Sequence, residues 1–241
     1  MPPLVIAHRG ASAYAPENTL RAFALAADQG ADMCELDVQP TADGQLAVFH
    51  DDTTERWDGV KRQSAACTLA ELQRLDIGGE RVTTLAAVLD FARERGMRLN
   101  IELKATGCAA QVAAQIADAR AAPLALISSF YPAALAEMAV AAPQLPRAYL
   151  MGIETLRPDV RLRESWPLLA LRRAAAAAWH PAYQIPLLAQ VAPVVRRAGY
   201  AVNVWTVNDQ SWMRRMIAIG VDGIMTDTPD ILRALIPAAG R

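Results

Sequence analysis

Short apolar runs alternate with longer amphipathic stretches along the whole chain, and few folds accept that pattern. The runs cover residues 4–7, 33–38 with 46–49, 97–103, 124–127, 148–151, 174–179, 201–207 and 222–225. Between them lie helical stretches at 19–29, 85–96, 109–121, 132–142, 187–199 and 210–220. Several of these close on the glycine that commonly follows a helix C-terminus. Such alternation predicts parallel strands joined by crossover helices. Asp43-Gly44 reads as a hairpin extending the second strand, which brings the count to eight. The chain has 241 residues, and one (β/α)8 barrel takes about 250. The expected fold is a TIM barrel occupying residues 1–241 as a single domain. A doubly wound open sheet competes, but no G-x-G-x-x-G turn follows an early strand. The segment 157–184 is hardest to place. Its alanine run, 174–178, suits helix or strand, and it becomes the sixth strand because the barrel needs one.

Polar residues interrupt the apolar runs at a spacing of two, always where a strand gives way to its loop. Alternate strand residues share a face, so His8 follows Ile6 to the rim, and Glu35 and Asp37 point the same way from an apolar run. His50 follows Val48, Asn100-Ile-Glu102-Leu-Lys104 repeats the spacing, and Asn203-Val-Trp205-Thr-Val-Asn208 ends the seventh strand. Active sites of such barrels are built at this end of the strands. Inward carboxylates sharing a buried site need a proton or a cation between them. Three carboxylates (Glu35, Asp37, Glu102), without thiolates or paired histidines, favour Mg²⁺ or Ca²⁺ over zinc. Adding one such cation, Arg9 and Lys104 to the three carboxylates leaves one positive charge, which suits a phosphodiester monoanion. Arg9 offers a planar fork to phosphate oxygens and Lys104 a point charge. His8 and His50 could take and give the protons that splitting a P–O ester requires.

Other features read as structural. Thr226 to Asp230 looks like a helix start with a capping side chain before Pro229. Pro16-Glu-Asn-Thr19 also opens a helix, with Glu17 near enough to orient Arg9. His180 has no evident partner, and Asp51, Asp52 and Asp58 read as surface loop acids.

A net charge of −1 without a basic run argues against nucleic acid. With 53% hydrophobic and 20% charged residues, a large core is available. Cys34, Cys67 and Cys108 form no C-x-x-C pair and suit a reducing compartment as small buried residues. The first residues lack a basic n-region, so no signal peptide is expected, and no apolar stretch is long enough to span a bilayer. The expectation is a cytoplasmic protein without stable membrane association.

The chain resembles the glycerophosphodiester phosphodiesterase family, in its short cytoplasmic bacterial form. The family's opening is similar to Ile6-Ala-His8-Arg9-Gly10 with Pro16-Glu-Asn-Thr19. Its paired carboxylates resemble Glu35-Leu-Asp37, its His-Asp step His50-Asp51, and its third carboxylate Glu102 in Asn100-Ile-Glu-Leu-Lys104. The later matches are Val204-Trp-Thr-Val-Asn208 and Gly220-Val-Asp-Gly-Ile-Met-Thr-Asp227. The resemblance implies hydrolysis of a small-molecule glycerophosphodiester to sn-glycerol 3-phosphate and an alcohol. It implies one divalent cation on Glu35, Asp37 and Glu102, and His8 and His50 as the acid–base pair. Arg9 and Lys104 would hold phosphate, with Trp205 as a further substrate-binding residue. After His-Asp the family commonly carries Arg-Thr-Thr before a glycine, whereas this chain reads Thr54-Glu-Arg56-Trp57-Asp58-Gly59 in a loop expected at the site entrance. The alternative is a related barrel phospholipase acting on lysophospholipids or sphingomyelin. That activity would want an apolar rim, for which Trp57 is the one hint.

Overall fold

The computed structural model describes residues 2–152 and 166–236. The first strand, β1 (Leu4–Ala7), pairs with both β2 (Met33–Pro40) and β10 (Gly223–Thr226), and this double pairing closes the sheet. Around the ring, β2 is followed by β5 (Arg98–Leu103), β6 (Ala125–Ser129), β7 (Arg147–Met151), β8 (Ala178–Pro181) and β9 (Ala201–Val204). Neighbours around the ring run parallel. Among the described residues this is an eight-stranded barrel with helices between strands, the expected (β/α)8 fold.

Two strands lie outside the ring. β3 (Leu46–Val48) pairs antiparallel with the end of β2, and β4 (Thr83–Thr84) pairs with β3. The excursion between them carries two short helices, α2 (Glu55–Asp58) and α3 (Leu69–Leu72), over a small core of its own. Phe49, Cys67, Leu72, Leu75, Ile77 and Val82 fill that core. It fixes the loop that bears His50 and Asp51.

The helices form where apolar spacing and caps agree. In α1 (Leu20–Asp28), Thr19 accepts from Ala22 N at 3.2 Å, and Ala22, Phe23 and Ala26 face inward. In α4 (Leu85–Arg95), Thr84 caps the start and Gly96 ends the helix in the left-handed conformation. α5 (Ala109–Asp118), α6 (Pro132–Ala141), α7 (Leu168–Arg173), α8 (Leu188–Arg197), α9 (Gln210–Ile219) and α10 (Pro229–Leu235) complete the described shell. Inside the ring, Ile6, Met33 and Met225 pack with Leu126 beneath the polar strand ends. Leu36 and Ile101 face outward and are fully buried against helices; burial of each such side chain contributes about 1.5–3 kcal/mol.

The sixth strand corrects the expectation. Residues 174–177 follow α7 as a turn with Ala175 at φ +46°, and the strand starts at Ala178. Methyl side chains carry no periodicity by which to tell the two apart. Residues 157–165 of that uncertain segment lie outside the described residues. All three cysteines are buried and unpaired in disulfides, as expected.

Candidate active site

Seven of the eight sequence-selected residues come together in one cavity of about 420 Å³ at the C-terminal ends of the strands. His8, Arg9, Glu35, His50, Glu102 and Lys104 line it from the first strands, and Trp205 with Phe130 and Leu150 walls the far side. The eighth, Asp37, sits just behind the surface. Carboxylate oxygens of Glu35, Asp37 and Glu102 all lie within 4.8 Å of one another.

A turn that few residues tolerate places the first two groups. Arg9 and Gly10 both have positive φ, +56° and +83°. A Cβ on Gly10 would lie 2.6 Å from the Ala22 backbone, so glycine is required there. The left-handed Arg9 is strained for a side-chain-bearing residue. The turn aims Arg9 N at Glu35 Oε2 (2.9 Å) while its side chain reaches Glu17 Oε1 (3.0 Å) and Asp37 Oδ2 (3.2 Å). The expected Glu17–Arg9 contact is therefore present. Asn18, also at positive φ, donates to Asp37 Oδ2 and accepts from Asp37 N.

The three carboxylates are electrostatically divided. Burial, and then repulsion from Asp37 and Glu102, raises the Glu35 carboxyl well above its usual range. Burial and Asp37 push Glu102 up to about 7. Burial also opposes ionisation of Asp37, but Arg9 and Lys104 outweigh it and hold that carboxyl below the usual range. Lys104 Nζ lies 3.1 Å from Glu102 and 3.5 Å from Asp37, so it does pair with Glu102 while facing the cavity. Oxygen donors at this spacing, two of them disfavoured as anions, fit a hard divalent cation.

Each cavity histidine is tethered through Nδ1 to a carboxylate. His8 Nδ1 lies 2.7 Å from Asp227 Oδ1, and His50 Nδ1 lies 2.9 Å from Asp51 Oδ1. Neither acid is the structural residue the sequence suggested. Asp227 lies just before α10, but there Thr228 makes no side-chain cap. Ser12 and Asn208 hold Asp227 instead, and their bonds with His8 outweigh burial to keep it ionised. Asp51 is half-buried and accepts also from Arg56 Nε (2.7 Å) and Trp57 Nε1 (2.9 Å). Against burial, His50 and Arg56 bring its carboxyl down to about 2. The His-Asp adjacency could have signalled this; nothing local signals Asp227. Asp52 and Asp58 are exposed, as expected.

Arg56 joins the two halves of the entrance. Its Nη2 and Nη1 donate to the two oxygens of Glu17 at 2.6 and 3.1 Å, while its Nε holds Asp51. It also stacks on Trp57, 4.3 Å from the ring centre. Trp57 is thereby packed between Arg56 and Phe49, not presented as an apolar rim.

His180 behaves differently. It is fully buried, and burial alone lowers its pKa to about 3. Asn203 Nδ2 donates to its Nε2 at 2.9 Å, and its carbonyl accepts from Trp205 Nε1 at 2.7 Å. It holds the cavity wall, in keeping with its structural assignment.

A closed parallel barrel with two histidines, an arginine, a lysine and three carboxylates gathered at its strand ends defines a TIM-barrel enzyme. The sequence pattern of the glycerophosphoryl diester phosphodiesterase family matches residues 8–231. The chain belongs to that family. A glycerophosphodiester phosphodiesterase of Caldanaerobacter subterraneus is 35% identical over the full length of both chains. One from Bacillus altitudinis is 32% identical, covering 94% of this chain and 95% of the relative. The crystal structure of an Oleispira antarctica phosphodiesterase in complex with the product sn-glycerol-3-phosphate superposes with a TM-score of 0.81. That protein is 30% identical, and the match covers 97% of this chain and 96% of the other.

Proposed function

We propose that this protein hydrolyses glycerophosphodiesters to sn-glycerol 3-phosphate and an alcohol, using His8 and His50 as the acid–base pair. The observation that carries the reading is that both histidines line one cavity with Nδ1 tied to a carboxylate. Each Nδ1–H then points at its acid, and Nε2 is left to exchange a proton with substrate. One Nε2 takes the proton of the attacking oxygen, and the other, protonated, gives its proton to the leaving alcohol oxygen. The P–O bond to the alcohol breaks as that to the incoming oxygen forms, and the histidines exchange charge states.

Arg9 and Lys104 would hold the phosphate. Glu17 and Asp37 engage Nη1 and Nε of Arg9, so its Nη2 remains for an anion. Glu35, Asp37 and Glu102 would hold one Mg²⁺ or Ca²⁺; when bound, that ion supplies Lewis-acid polarisation of phosphoryl oxygens. Trp205 would close the wall against the glycerol end, supported by its edge contact with Phe130 at 5.4 Å between ring centres. Among the described residues no helix is long and apolar enough to cross a membrane.

The test is release of glycerol 3-phosphate from a panel of glycerophosphodiesters, with chelator and with added Mg²⁺ or Ca²⁺. Release that needs the cation supports the reading, and absence of release under every cation overturns it. The phospholipase alternative draws on exposed Phe130, which lines the cavity, and exposed Tyr131 next to it in sequence. Sedimentation with phosphatidylcholine vesicles containing lysophospholipid, and release of the lysophospholipid head group, would favour it.

A further inference from the structure

Among the described polar residues of the cavity, Asn100 alone is fully buried with its whole amide unpaired; Arg9 has one nitrogen without a hydrogen bond but is held through another. Asn100 lies on β5, and neither Oδ1 nor Nδ2 has a hydrogen-bond partner. It sits two residues before Glu102, one pleat deeper on the same inward face, and lines the cavity below Glu102. Asn203 also leaves its Oδ1 without a partner, but its Nδ2 meets His180, and two further asparagines are bonded at both ends. Asn18 has both ends taken by Asp37, and Asn208 is bonded to Asp227 and Thr226. A buried amide without partners is costly, about 1–3 kcal/mol for each group left unsatisfied, and most such groups in folded proteins are satisfied. Other buried polar atoms of this chain are unpaired too, but Asn100 is the one amide among them placed at the wall of the cavity, where a ligand can bring the partner.

The neighbours narrow that ligand. Arg9 and Lys104 provide for the phosphate charge, and the three carboxylates for a cation, so the remaining work at Asn100 is neutral. An amide offers N–H donors and one acceptor oxygen on one rigid plane. Two adjacent hydroxyls match it, one accepting from Nδ2 and the other donating to Oδ1. Met225, Leu150, Phe130 and Trp205, which share the cavity, supply apolar surface for a short carbon backbone.

We propose that Asn100 is a specificity-determining residue that reads the vicinal hydroxyls of a polyol phosphate, and so selects the glycerol side of the substrate. The inference rests on the functional reading above and deepens it. A site built to hydrogen-bond a hydroxyl discriminates strongly against an analogue lacking it, because its own polar groups are then stranded.

Binding measures this without turnover. Calorimetry on the Mg²⁺-loaded protein would compare glycerol 3-phosphate with propyl phosphate, which has the same carbon chain without hydroxyls. The wild type should prefer glycerol 3-phosphate by roughly 10–100-fold. Asn100→Leu and Asn100→Ala should each lose that preference, with propyl phosphate affinity unchanged or improved, cation affinity unchanged, and a melting midpoint at or above wild type for the leucine variant. Equal weakening of both ligands, or a preference that survives in both variants, overturns the assignment. A wild type that hydrolyses glycerophosphodiesters while the variants keep their preference sinks the inference alone. A wild type that binds neither phosphate and releases no glycerol 3-phosphate removes the functional reading, and the inference with it.

Discussion

The barrel is built of two unlike halves. From β1 to β5 the strand ends carry charge: His8, Arg9, Glu35, Asp37, His50, Glu102 and Lys104. From β6 to β10 they carry shape: Phe130, Leu150, Trp205 and Met225, with a neutral His180–Asn203 pair behind them. Three histidines make the difference plain. His8 and His50 are part-exposed and paired with acids, whereas His180 is fully enclosed without a charged neighbour. Burial alone yields a neutral structural ring; burial with a carboxylate and an open face yields a group that can exchange protons. Asp227 is the exception that joins the halves, since it reaches from the end of β10 to orient a histidine on β1.

The largest effect expected from this division is on the histidines. His8→Ala and His50→Ala should each lose roughly 10²–10⁴-fold in kcat, while His180→Ala keeps most of its turnover per folded molecule. Steady-state rates normalised to folded protein would break the comparison if all three variants fell together.

Metal dependence tests the charged half as a unit. Chelation should abolish turnover, and Glu102→Gln should weaken cation binding while leaving the circular dichroism spectrum unchanged. Burial and Asp37 raise Glu102 from a usual value of 4.5 to about 7, so the cation-free protein loses stability as pH rises across that window. A cation removes the penalty. Added Mg²⁺ or Ca²⁺ should therefore raise the melting midpoint more at pH 8 than at pH 6; an equal rise at both would show that the carboxylates do not drive binding.

Arg56 lies at the edge of the charged half, touching no cavity carboxylate of the cation cluster. Removing a partner that orients site residues typically costs about 10–100-fold. Arg56→Ala should fall in that range in kcat/KM and change the pH profile, through freed Asp51 and Glu17. Its stability should hardly change, since exposed ion pairs contribute about 0–1 kcal/mol. Recovery with added guanidinium would sharpen the assignment, and wild-type rates in the alanine variant would remove it.

The effect furthest from the chemistry concerns stability in acid. The folded pKa of His180 is depressed to about 3 by burial, so the unfolded chain binds the extra proton as pH falls below about 6.5. Stability tied to this ring is intact above that value and declines by about 1.4 kcal/mol per pH unit between the two pKa values. Replacing it in His180→Asn should flatten the fall in unfolding free energy between pH 7 and pH 5. An unchanged slope would mean that the ring is not held neutral.

The charged half was also the legible half. Polar residues at a spacing of two inside apolar runs are conspicuous, and Glu35, Asp37, His50 and Glu102 could be picked out from period alone. Asp227 could not, because its role is set by a strand pairing between the two ends of the barrel, and its local sequence imitates a helix cap. Asp51 read as a loop acid although its adjacency to His50 carried the signal. The boundary at Ala178 was hidden by a run of identical methyl groups. Asn100 stood within a recognised motif, yet its meaning lies in the absence of a partner, and only packing can reveal that.

The same closure has a consequence for how the protein is made. His8 leaves the ribosome 219 positions ahead of Asp227. The nascent chain can assemble its first strands and their repelling carboxylates well before β10 exists to seal the ring. Until that strand docks beside β1, the first histidine lacks its tether and the interior stays open to water. Synthesis of β10 and the residue after it thus acts as a timer on chemistry: a chain halted before β10 would carry nearly every charged group described here and still lack an oriented His8.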